Sequence, residues 1–233
     1  MSERAVAMNN MVIDRHETQI KDSVNFTKLA TELAETGKNF YSRGWVLGTS
    51  GNFSAVASWQ PLRLAISPTG LDKGSLTAAH FLEIDGASNV IRGDGRPSTE
   101  TMLHLAIIGC VKAGAVLHTH SVWSTVLSNL HAPRGGVAIE GYEMLKGLTG
   151  VRTHEHREWL PILNNSQDTS ELPQHVSKCL RKHSDIHALL LRGHGLYSWG
   201  ASLQEAKRHI EILEFLMEVV VRSHQSVIQG ELD

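Results

Sequence analysis

Three histidines stand where their type and spacing suit metal chemistry. An apolar run, Ala113–Leu117, leads into His118-Thr119-His120, and a helical segment follows from Ser121, so both histidines fall where a strand ends and a helix begins. Alternate residues of a strand share a face about 6.6 Å apart, at roughly 3.3 Å per residue, and imidazoles can converge from that separation on one ion. An isolated pair of this kind is more often a half-buried strand end than a metal site. A third histidine changes the balance. Asp185–Leu191 reads as a buried strand running into Arg192-Gly193-His194-Gly195, which sets His194 at a second strand end between two glycines. Glycine on either side of a polar residue lets the backbone approach something closely. Three neutral imidazoles with an open position are the usual arrangement of a catalytic zinc, and without a Cys-x-x-Cys pair a closed structural site is not expected.

The elements that must hold these histidines are those of one domain. The chain has 233 residues, 41% of them hydrophobic and 20% charged, with no break in composition. We expect a loose tail over residues 1–22 and a single domain over 23–233. Net charge is −2 and basic residues are not clustered, which argues against a nucleic-acid or membrane-surface partner. Cys110 and Cys179 are the only cysteines and read as reduced packing residues of a cytoplasmic protein. No apolar run marks an export signal or a membrane anchor.

Helical periodicity covers Phe26 to Phe40, Thr99 to Val111, Ser121 to Leu130, Thr169 to Lys182 and a long stretch from Ala206 to Val220. The last opens on Ser202-Leu203-Gln204-Glu205, the pattern of a capping box. Extended segments lie at Ala55–Trp59 and Leu62–Ser67, a hairpin, and at Gly136–Ile139 and Gly195–Trp199. Tyr142–Leu148 returns to a helical turn carrying Glu143. A second H-x-H, His154 and His156, lies among charged residues and reads as surface. Three turns rich in glycine and hydroxyls, Gly48–Ser54, Ser67–Gly70 and Pro97–Glu100, make a phosphate pocket conceivable. Simple helix capping explains Ser98 and Thr99 equally well.

Taken in order, Thr49-Ser50-Gly51-Asn52, Ser67-Pro68-Thr69-Gly70, Ser98-Thr99-Glu100, His118-Thr119-His120 and Arg192-Gly193-His194-Gly195 resemble the class II aldolase/adducin superfamily from about residue 25 to 225. Glu140–Gly147, Asn164–Asp168 and Trp199-Gly200 through to Phe215 are similar to a dehydratase branch of it that acts on a phosphorylated ketose. The resemblance implies a three-layer α/β/α sandwich with a largely antiparallel sheet. It also implies one zinc ion per subunit at His118, His120 and His194, and phosphate contacts at Asn52, Thr69, Gly70, Ser98 and Thr99. The assembly implied is a homotetramer with its active site near a subunit interface. In the aldolases of this superfamily the acid/base glutamate stands at the Glu100 position; in animal dehydratases that position resembles cysteine, and the acid/base matches Glu143. This chain has both, and the expectation puts Glu143 first. The reaction implied is loss of water through a metal-stabilised enediolate. Aldol cleavage or epimerisation of another sugar phosphate is the close alternative, and a non-catalytic adducin-like assembly domain the remote one.

Overall fold

Alternating apolar residues build the layers. In the strand Ala115–Thr119, Ala115 and Leu117 belong to one buried cluster and Val116 to another, so the pleat sends successive side chains to opposite faces and both faces must be covered. The computed structural model describes residues 25–166 and 171–230, with side chains followed to residue 223; the tail expected over 1–22 lies outside that range. Its helices are α1 (residues 25–42), α2 (Thr101–Val111), α3 (Val122–His131), α4 (Leu172–Lys182) and α5 (Leu203–Gly230). Phe26, Leu33 and Phe40 of α1, Leu127 of α3, and Ile210 and Leu213 of α5 fill one side of the sheet. Leu103 and Ile107 of α2, with Val176 and Leu180 of α4, fill the other. This is the expected three-layer sandwich.

The strands are β1 (Asn52–Trp59), β2 (Leu62–Ile66), β3 (Leu82–Asp85), β4 (Val90–Arg92), β5 (Ala115–Thr119), β6 (Gly136–Ile139), β7 (Glu158–Leu163), β8 (Ala188–Leu191) and β9 (Gly195–Gly200). They form a sheet in the order β4-β3-β2-β1-β5-β9-β8-β7-β6. Every pairing is antiparallel except β7 with β8. β5 therefore sits between β1 and β9, and its end is the meeting point of two hairpin-like approaches. Leu117 behind His118 is fully buried, and truncating such a leucine to alanine costs about 2 to 5 kcal/mol.

Several local readings change. β3, β4 and β7 carry weak patterns: all three residues of β4 are exposed, and Pro161 interrupts β7. α2 starts at Thr101 with Glu100 in the cap position, two residues later than expected. Cys179 is buried but Cys110 is exposed, because it falls on the outer face of α2, so only Cys179 is a packing residue. At the start of α5 the Glu205 amide donates to Ser202 Oγ at 3.2 Å. The return half of the box is redirected, since the Glu205 carboxylate accepts from the Ala201 amide at 3.1 Å and from Thr149 Oγ1 at 2.5 Å.

Candidate active site

The strand ends bring the three histidines together. His118 and His120 share a face at the end of β5, and Ser121 caps α3 by accepting the Ser124 amide at 3.0 Å, which turns the chain sharply after His120. The His120 amide donates to the Trp45 carbonyl at 2.7 Å. His194 occupies the tight turn between β8 and β9. Gly193 there has φ of 63°, a conformation open to glycine at little cost. A side chain at Gly195 would run into the Thr119 carbonyl, so the two glycines permit the approach of this turn to β5.

The Nε2 atoms of His118 and His120 are 2.8 Å apart, those of His118 and His194 3.3 Å, and those of His194 and His120 3.1 Å. The Leu196 carbonyl lies 2.9 Å from His118 Nδ1 and can only accept, so Nδ1 carries the proton and Nε2 presents a bare lone pair. Burial, followed by the neighbouring His120 and His194, pushes the His118 pKa well below its ordinary value. Burial, with His194 and Lys73, pushes His120 down to about 4. Three imidazole nitrogens that converge in this way are a cation site. Glu100 closes the group: Oε1 lies 3.3 Å from His194 Nε2 and Oε2 3.6 Å from His118 Nε2. All four ligand atoms fall within 4.8 Å of one another. Three nitrogens and one carboxylate oxygen suit zinc or a similar divalent ion.

Glu100 is held from β1. Asn52 Nδ2 donates to Glu100 Oε2 at 2.6 Å and to Ser98 Oγ at 3.3 Å. The expected phosphate turns adjoin here, through a bridge between Pro68 and Pro97 and the Thr69 amide donating to the Arg96 carbonyl at 3.0 Å. Thr69, Gly70 and Thr99 are exposed and Ser98 half-buried, whereas both N–H bonds of the Asn52 side chain are engaged within the protein. A residue not anticipated from sequence is Lys73. It is 1% exposed, and its Nζ donates to the carbonyls of Thr49 at 3.0 Å and Leu71 at 2.7 Å, so one buried ammonium ties two of the turns together. Its only sequence signal was a lysine between two turn segments.

Glu143 is placed differently. It starts a 3-10 turn, Glu143–Gly147, anchored on the α5 side by buried Leu145. Its carboxylate accepts from Lys146 Nζ at 2.6 Å and lies 3.7 Å from His154 Nδ1. The Lys146 bond and charge hold its pKa below the ordinary carboxylate range. Within one chain the structure does not bring Glu143 into the histidine cluster. His154 is exposed, as expected. His156 is not simply surface: its Nε2 lies 2.9 Å from the buried Glu158, which also binds His187. His187 in turn reaches the Thr149 carbonyl at 2.8 Å, which fixes the end of the Glu143 segment.

A cavity of about 270 Å³ opens over Glu100 and His194, walled by Met102, Leu103 and Leu172 with Asn165 and Ser166 at its rim. A larger one of about 430 Å³ lies at the other end of α2, among Val111, Thr149, His187 and His209, and contains none of the three histidines.

A mostly antiparallel three-layer sandwich carrying three histidines at its central strand ends, with a glutamate from a helix start beside them, is the architecture of a metal-dependent lyase of the class II aldolase type. The chain belongs to the class II aldolase/adducin family: the model described as "Class II Aldolase and Adducin N-terminal domain" matches residues 31–221. It is 42% identical over 201 residues to a methylthioribulose-1-phosphate dehydratase from Methylococcus capsulatus, covering 85% of this chain and 96% of the relative. To the Pseudomonas fluorescens protein of the same name it is 40% identical over 202 residues, covering 86% and 96%. Among solved structures, the L-fuculose-1-phosphate aldolase of Thermus thermophilus superposes with a TM-score of 0.67 at 24% identity, covering 85% of this chain and 95% of that one; at that identity the likeness concerns the fold.

Proposed function

We infer that the chain is a methylthioribulose-1-phosphate dehydratase, a hydro-lyase of methionine salvage that removes water from 5-methylthioribulose 1-phosphate to give 2,3-diketo-5-methylthiopentyl 1-phosphate. The observation that carries this is the convergence of His118, His120, His194 and Glu100 in a chain so similar, over nearly its full length, to dehydratases. The three histidines would hold one zinc ion per subunit, which when bound supplies Lewis-acid stabilisation of the charge that develops on the substrate's C2 oxygen.

In this reading Glu100, held beside the histidines by Asn52, takes the proton from C3. The C4 hydroxyl then departs as water with a proton given back by Glu100 or by a second acid, and the C3 enol left behind loses its hydroxyl proton and gains one at C4 to give the diketone. General acid/base help of this kind is worth about 10² to 10⁴ in rate. Glu143, exposed beside the exposed Met144, serves as the second acid/base if its turn meets the histidines of a neighbouring subunit. That geometry suits a cyclic homotetramer with its active site near an interface. We assign the substrate phosphate to Thr69, Gly70, Ser98 and Thr99, with Asn52 holding Ser98 in place, and the methylthio tail to the wall of Met102, Leu103 and Leu172. Among the described residues no helix is long and apolar enough to cross a membrane, and a cytoplasmic setting fits a small phosphorylated substrate.

The second reading, aldol cleavage, draws on Glu100 standing at the histidines. Incubation with methylthioribulose 1-phosphate and a small panel of ketose phosphates separates the two. Diketone should appear from the former, with Thr69→Val mainly raising KM. A protein that makes no diketone and splits a ketose phosphate into two carbonyl fragments is an aldolase instead.

A further inference from the structure

His104 is 0% exposed and lies one turn along α2 from Glu100, on the same side of the helix, where both face β1. Asn52 and Ser54 of β1 are alternate residues and point to that same face; Asn52 stands opposite His118 in the β1–β5 ladder. The His104 ring spans the two: Nε2 lies 2.5 Å from Asn52 Oδ1 and Nδ1 2.7 Å from Ser54 Oγ.

The direction of every bond in this chain is forced. The Glu100 carboxylate next to the histidines accepts, so the Asn52 amide must turn its nitrogen toward it, as it does at 2.6 Å. Asn52 Oδ1 then faces His104 and can only accept, which places a proton on His104 Nε2. A neutral ring with Nε2 protonated has a bare Nδ1, and Ser54 Oγ donates to it. Burial keeps the ring neutral, with a pKa pushed down to about 3. Tyr197 closes the remaining side, its ring edge-on to His104 at 5.9 Å and its centroid 3.8 Å from that of His118.

We propose that His104 is a positioning residue for proton transfer: by donating from Nε2 it locks the Asn52 amide in the one orientation that holds the Glu100 carboxylate against the histidine cluster. Without that donor the Asn52 carbonyl oxygen loses its partner, and only the Nδ2 bonds to Glu100 and Ser98 oppose a flip. A flipped amide would set its carbonyl oxygen against the carboxylate, and Glu100 would swing away from the substrate. The proposal rests on the reading that Glu100 moves the C3 proton.

Two substitutions separate this role from simple packing. In His104→Gln the side-chain nitrogen can take the place of Nε2 and still donate to Asn52, whereas His104→Met fills the volume with no donor. The Met variant should lose about 10²-fold in kcat, the size expected when a reacting group is misplaced by about 1 Å, with KM within about threefold of wild type and metal content unchanged. The Gln variant should recover most of that loss. Equal losses in both variants, or losses that follow KM or metal content, would overturn the proposal. Should the Met variant fail to fold, the wild type decides, with His104→Gln used only to assign its signals. In protein labelled with ¹⁵N at histidine, the ring signals that vanish in His104→Gln belong to His104 and should report a neutral ring protonated at Nε2 between pH 6 and 8. A ring protonated at Nδ1 overturns the proposal just as surely. That measurement needs no substrate, so a wild type that makes no diketone would refute the dehydratase reading separately.

Discussion

Tyr197 on β9 lies flat against His118 on β5, directly opposite it in the ladder, with ring centroids 3.8 Å apart and planes 11° from parallel. Together with the Leu196 carbonyl this fixes the plane of the imidazole, so that Nε2 points at His120 and His194. Burial, and after it the charge of Glu100, raises the Tyr197 pKa well above its ordinary value, so the phenol stays neutral. Tyr197→Phe keeps the stacking surface and should retain the metal. Tyr197→Ala frees the ring and should weaken metal affinity by about 10- to 100-fold, as loss of a supporting contact around a ligand commonly does. Chelator competition on the two purified variants measures the difference; equal affinities would show that the stack does not orient His118.

His118→Ala and His194→Ala should each lose the ion, since either change leaves only two of the three histidines that would hold it. His154→Ala is the control, because that ring is exposed and lies against Glu143. Elemental analysis of the three proteins should find about one zinc-like ion per chain in the control and little in the other two. Full occupancy in both site variants would remove them from the ligand set.

Glu100→Gln and Glu143→Gln should divide the two glutamates. The Glu100 variant removes the carboxylate beside His118 and His194 and should lower kcat by about 10² to 10⁴. The Glu143 variant should lose as much only if a neighbouring subunit receives that side chain. In that case mixing Glu143→Gln protein with an inactive Glu100→Gln protein, then dissociating and reassembling the subunits, should restore part of the activity. No recovery in mixed assemblies would argue against a shared site.

Some of this was legible in the chain and some was not, for definite reasons. His118, His120 and His194 stand out because polar residues end apolar runs there, and the helices follow from apolar residues at 3.6-residue spacing. Pleating tells which face Asn52 and Ser54 occupy, but not that β5 is the neighbour of β1; the ladder that sets Asn52 beside His118 is a long-range pairing. The antiparallel sheet escaped residue-level reading for the same reason, since helices alternating with strands also describe a parallel one. Resemblance supplied the fold and the motif at Glu100. Neither route disclosed His104, which reads as one more helical position, or Lys73, a residue type that is seldom fully buried.

Lys73 also predicts a pH dependence of stability. Burial lowers its pKa from 10.5 to about 8, with Asp72 opposing the shift only in part. In the unfolded chain the amine keeps its ordinary pKa, so between about pH 8 and 10.5 the unfolded state binds more protons than the folded one. Stability contributed by this group therefore rises with pH across that window. A shift of this size corresponds to at most about 3 kcal/mol. Lys73→Met should abolish the rise, and it should also destabilise the protein at neutral pH by leaving the Thr49 and Leu71 carbonyls without their donor, at a cost of about 1 to 3 kcal/mol. Urea unfolding of wild type and Lys73→Met at pH 7.5 and pH 9.5 measures both effects. The wild type should gain on the variant across that interval as other titrating groups cancel in the comparison. A constant difference between the two proteins would mean that the Lys73 amine is not held in the dry, bonded position described.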